Sequence, residues 1–151
     1  GRCHAEVGAE LARVILAGQP LGKVEAVAQA IAEHRFRGNA APSTLEAQVL
    51  YDADKLDAIG AIGVARAYAI AGERRQRLWA EVDPSYAQRA PAEGKDDLKE
   101  AKHTPVHEYL FKLSKLAAGM CTATGRRLAQ QRHAYMVAFF ERLAREVAGE
   151  A

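Results

Sequence analysis

Val7, Leu11, Val14 and Ile15 recur at helical spacing from the start of the chain, and Gly18 with Pro20 closes that run. A second helical run, Val24, Val27, Ala30 and Ile31, stops near His34. Only the stretch from Gly18 to Gly22 separates the two, a connection short enough to demand an antiparallel hairpin. Ser43-Thr44-Leu45-Glu46 has the pattern of a capping box and predicts a long apolar helix from Thr44 to about Ala71. The next segment, "GERRQRLWAEVDPSYAQRAPAEGKDDLKEAKHTP", is rich in charge, proline and glycine, and reads as a mobile loop over about residues 72–104 with a short helix inside. Two helices close the chain. One spans about Val106 to Ala118, with Tyr109, Leu110, Leu113 and Leu116 inward. The other begins near Thr122 or Thr124 and carries Leu128, Tyr135, Met136, Phe139, Phe140 and Leu143.

No strand signal, repeat or second domain interrupts this series, so the expectation is one all-α domain over residues 1–151. Abundant alanine with only 7% aromatics favours closely packed helices over sheets. A formal charge of +2, from 21 basic and 19 acidic residues, points to neither a nucleic-acid nor a membrane-surface partner. No uncharged apolar run approaches the ~18 residues of a membrane span. Cys3 and Cys121 have neither metal-ligand spacing nor a disulfide framework, which fits a reducing cytoplasm. The glycine start and the immediate first helix suggest a chain cut from something longer.

Chemistry concentrates in the long apolar helix. Asp54 and Asp57 stand three residues apart and share a face, and their setting predicts that both point into the interior. An unpartnered buried carboxylate costs several kcal/mol, so the pair needs cations. Arg66, Lys112 or Lys115 could supply a structural ion pair, and a divalent metal is the other candidate. Hairpin geometry brings His4, at the start of the first helix, to His34, at the end of the second. Two histidines so placed suit a metal or a phosphate, although a histidine on an apolar face is often only a satisfied core residue. Arg132, four residues before Met136, has an inward register and could clamp a phosphate or simply reach solvent at an edge.

"LEAQVLYDADKLDAIGAIGVARAYAIAG" resembles the final metal-binding helix of the HD-domain phosphohydrolases, in a bacterial branch similar to nucleotide pyrophosphohydrolases. The flanking "CHAEVGAELARVILA…VAQAIAEHRF" and "HEYLFKLSKLAAGMCTATGRRLAQQRHAYMVAFFERL" resemble the same branch in the same order. The resemblance implies a compact helical bundle of the HD-domain type, here lacking its first helices. It also implies a divalent cation (manganese, magnesium, cobalt or another) and a phosphate-bearing, nucleotide-like substrate. The Ala53-Asp54-Lys55-Leu56 setting carries the metal-ligand role to Asp54, with Asp57 supporting it. His4, His34, Arg66, Lys112, Lys115 and Arg132 become candidates for holding phosphate. The family's earlier histidine and its His-Asp doublet do not occur in this sequence, so this piece is expected to be inactive alone and prone to self-association. The alternative is a catalytically dead helical module that binds a nucleotide or a protein.

Overall fold

A computed structural model describes residues 3–34, 41–88 and 102–150, and among these there is no strand. The first helices, α1 (His4–Ile15) and α2 (Leu21–Glu33), form the expected hairpin. Glu25 accepts hydrogen bonds from Nε and Nη2 of the Arg13 guanidinium across it. Its packing differs from the stripe read in the sequence. Ala5, Ala9 and Ala12 are the buried face of α1, and Val24, Ala28 and Ala30 are the buried residues of α2, whereas Val7, Leu11 and Val14 are exposed. Small side chains let two backbones approach closely, and the larger apolar residues then fall on the outside. Gly8 belongs to this seam, because a Cβ there would lie 3.1 Å from Ile31.

The helix expected from Thr44 to Ala71 is two helices, α3 (Leu45–Asp57) and α4 (Gly60–Glu73). The break has a local cause. Gly60 takes a φ of +79°, a conformation that favours glycine, and lies against the side-chain stem of Arg132. Turning the chain here drives Ile59 into the core with no exposed surface. Burial of one such side chain is worth about 1.5–3 kcal/mol, enough to offset the hydrogen bonds lost at a helix break. The cap of α3 also differs from expectation. Thr44 accepts from the Ala47 amide, while the hydroxyl and amide of Ser43 donate to Glu33 and tie α2 to α3.

Beyond α4 a short 3-10 turn, Pro84–Gln88, presents a buried Tyr86. The centre of the expected loop, residues 89–101, lies outside the described residues. Pro105–Glu108, a π-helical turn Tyr109–Leu113 and Ser114–Leu116 then run on as one rod, α5, capped by Thr104. The last helix, α6, spans Ala123–Ala148, with Thr122 as its cap and Gly149 in the left-handed conformation closing it. The core sits where the α3–α4 junction meets α5 and α6: Ile59, Val64, Leu113, Leu116, Met136 and Phe140. Tyr109 stacks on Phe140 at 4.1 Å between ring centres.

A methyl group at position 63 would overlap the Ala58 carbonyl, backbone that cannot swing aside. Gly63→Ala is therefore expected to lose about 1–3 kcal/mol in urea unfolding. Gly18→Ala, which has open space around it, should change stability by less than about 0.5 kcal/mol. Equal effects of the two substitutions would contradict this packing.

Candidate functional site

His4 and His34 meet at the open end of the hairpin, with ring centres 5.4 Å apart in an edge-on arrangement. The α3 helix reaches the same end through Lys55. Its side chain is buried, yet its ammonium donates to the His34 carbonyl at 2.7 Å and to Asp54 Oδ2 at 2.7 Å. It also lies 4.3 Å from the centre of the Tyr51 ring. These contacts satisfy a cation that burial would otherwise penalise heavily. They also place Asp54 beside the end of α2, its carboxylate no further from the His34 carbonyl than two such hydrogen bonds.

The acid pair is not interior, and this corrects the expectation from sequence. The Asp54 side chain is 54% exposed and that of Asp57 is 65% exposed. The physical reason is the aspartate two residues earlier. Asp52 is the buried acid of α3, at 3% exposure. Its Oδ1 accepts from the Cys121 amide, and its Oδ2 accepts from the amide and hydroxyl of Thr122, all within 2.7–2.8 Å. Two helical positions rotate a side chain by about 200°, so an inward Asp52 turns Asp54 outward. Asp57 accepts from Arg66 of α4 at 3.0 Å, one of the ion pairs that its neighbours allowed.

The other candidate cations are dispersed. Arg132 donates to the Leu56 carbonyl and so caps the end of α3. Lys115 sits 5.7 Å from the centre of the Phe111 ring. Lys112 lies 3.1 Å from Glu108 Oε1. Arg66 and Lys112 together line a cavity of about 230 Å³ between α4, α5 and the segment before α5. Ala58, Gly63, Ala67 and Ile70 form its floor. His103, Thr104 and Glu108 also line it and were not read from the sequence as site residues. Glu108 is mostly buried, which works to raise its pKa. Nearby His103 and Lys112 outweigh that, and the carboxyl is held below its ordinary value of 4.5. Burial, with Asp52 beside it, pushes the Cys121 thiol up.

Among the described residues no three His, Cys, Asp or Glu side chains converge as a metal site. Asp54 provides one carboxylate, with the Lys55 ammonium bound to it. A divalent cation takes at least about four ligands, so the described residues do not fit one on their own.

The family model for the HD domain matches residues 1–59, the stretch that contains His4, His34, Lys55 and Asp54. YpgQ of Bacillus subtilis, a protein described as uncharacterized, is 33% identical over 117 residues. That similarity takes in 76% of this chain and 47% of YpgQ, so the chain spans about half the length of this relative. The crystal structure of B. subtilis YpgQ superposes with a TM-score of 0.68 at 26% identity, covering 99% of this chain and 67% of the other. An HD-superfamily hydrolase from Bacillus thuringiensis gives a TM-score of 0.65 at 26% identity, covering 93% and 63%. The chain belongs to the HD-domain superfamily. The fold expectation, an all-α HD-type bundle, agrees with these structures. No described helix of this HD-domain chain is long and apolar enough to cross a membrane.

Two measurements check the geometry. Asp52→Ala would strand the Cys121 and Thr122 amides, each worth about 1–3 kcal/mol when buried without a partner. A loss of at least about 2 kcal/mol in denaturant unfolding is expected, and a loss under about 0.5 kcal/mol would refute the capping role. Glu108 binds a proton less readily folded than unfolded. Its contribution to stability is complete above pH 4.5 and disappears as pH falls through its lower folded value. Glu108→Gln should flatten the acid limb of a stability–pH curve, and an unchanged limb would exclude this role.

Proposed function

We propose that this chain is part of a metal-dependent phosphohydrolase acting on nucleotides or related phosphate esters. The observation that carries the reading is the Lys55 bridge, which joins Asp54 to the His34 end of the hairpin. Asp54, the Lys55 ammonium and the backbone end of α2 at His34 are thereby joined, and the His34 ring packs against that of His4. Membership of the HD-domain superfamily, whose hydrolases generally depend on divalent metals, supports a phosphoryl substrate. B. subtilis YpgQ has also been crystallised in complex with ADP, and that structure superposes on this chain with a TM-score of 0.66 at 25% identity.

In this proposal Asp54 is the chain's contribution to the cation, and no chemical step is assigned to the metal from the described residues. His4 and His34 face the phosphate at the rim of the site. Arg66 and Lys112 neutralise phosphate charge, as guanidinium and ammonium groups do in phosphoryl transfer. Asp57 holds Arg66 in position. Lys115 and Arg132 are engaged in the framework, so the proposal does not use them. The chain alone, with one carboxylate for the metal, has no hydrolytic activity.

The test uses a polypeptide extended to the length of its relatives and a panel of nucleotides. Asp54→Ala is expected to abolish metal-dependent release of phosphate or pyrophosphate. Asp57→Ala should lower it by roughly 10–100-fold, the usual effect of losing a group that orients another. Hydrolysis that survives both Asp54→Ala and chelation would overturn the reading. Nucleotide binding without turnover in the extended protein would favour the binding-module alternative.

A further inference from the structure

The cavity between α4 and α5 holds a pair of polar atoms that the proposed hydrolysis leaves unused. His103 is 5% exposed and Glu108 is mostly buried. Among the described residues, neither His103 Nε2 nor Glu108 Oε2 has a hydrogen-bond partner. The two atoms stand 3.7 Å apart, within ion-pair reach of each other but beyond hydrogen-bond length. Leaving such groups unsatisfied costs about 1–3 kcal/mol each, so their presence in one cavity calls for a ligand. The π-helical turn Tyr109–Leu113 begins immediately after Glu108 and contains Lys112. Turns of this kind interrupt helices frequently at functional sites.

The chemistry of the lining narrows the ligand. Arg66, Arg74 and Lys112 favour negative charge at the cavity. A bare phosphate would nevertheless meet the Glu108 carboxylate, which repels it. A ligand that brings both a phosphate and a hydrogen-bond donor satisfies both groups. One hydroxyl does what the gap requires: its oxygen can lie about 2.8 Å from each atom, donating to Glu108 and accepting from His103. A nucleobase fits less well. The floor is small and aliphatic, and no Phe, Tyr or Trp among the described residues lines the cavity to stack on a base. At about 230 Å³ the cavity is also smaller than the ~300–1,000 Å³ usual for a whole drug-sized ligand.

We infer that this cavity is the sugar subsite of the enzyme, where Glu108 and His103 bind a hydroxyl of a phosphorylated pentose and Arg66, Arg74 and Lys112 attend its phosphate. The inference rests on the phosphohydrolase reading and names the part of the substrate held beside it. Arg66 joins the two regions, because it lines the cavity and pairs with Asp57.

Binding to the 151-residue chain tests this without metal or turnover. Ribose 5-phosphate, inorganic phosphate and free adenine are titrated separately in EDTA at neutral pH, and the His103 ring resonances are followed by NMR. Ribose 5-phosphate is expected to shift them saturably, and phosphate or adenine to leave them in place. Glu108→Gln should weaken ribose 5-phosphate by about 10-fold or more, the usual loss for a hydrogen bond to a charged group. The exposed Arg74→Gln should weaken it several-fold and gives a second reading should the Glu108 variant fold poorly. A pocket for anions alone would bind phosphate equally well and more tightly in Glu108→Gln, and that result overturns the proposal. So does a response to adenine alone, or no His103 response to any probe. Asp54→Ala should leave this binding unchanged, so failure at the cavity is separable from failure of the hydrolytic reading.

Discussion

The buried carboxylate of Asp52 determines how the rest of the molecule is arranged. A charge removed from water needs several donors, and Asp52 finds them at the start of α6, where backbone N–H groups have no helical partners. That one contact fastens the middle of α3 to the beginning of the last helix. It leaves no room for a side chain at Gly125, whose Cβ would collide with the carboxylate. It also sets the rotation of α3, so that Lys55 turns inward and Asp54 and Asp57 turn outward.

The α3–α4 junction follows from the same constraint. With α3 anchored, the chain has to turn at Gly60 to bring Ile59 into the core and α4 back across α5. Arg132 crosses from α6 to the last turn of α3 and covers Gly60 with its stem. The turn carries Arg66 back toward Asp57, and Arg66 also lines the cavity between α4 and α5. Framework cations and candidate substrate-binding cations are thus separated by geometry. Arg132 and Lys115 work within the fold, while Arg66 and Lys112 face an open volume.

The hairpin brings two histidines together at the end of α2, which Lys55 joins to Asp54. The hairpin closes on alanines and leaves Val7, Leu11 and Val14 uncovered, while Leu45, Val49 and Leu50 of α3 are likewise exposed. These exposed residues lie on the same helices as His4 and Asp54.

Local patterns in the sequence determined the helices, because spacing, caps and breakers act within a few residues. The hairpin, its two histidines at one end, α5 and α6 were all legible in that way. Which acid of Asp52, Asp54 and Asp57 lies inside was not legible, since all three sit on one helix and their burial depends on donors about 70 residues away. The break at Gly60 was hidden for a similar reason. An apolar, glycine-containing run suits a continuous helix until a core needs Ile59 at its centre. His103 and Glu108 carried no sequence signal, because a polar pair becomes a site only when distant elements close a cavity around it. Periodicity records which residues share a face, and only packing decides what each face meets.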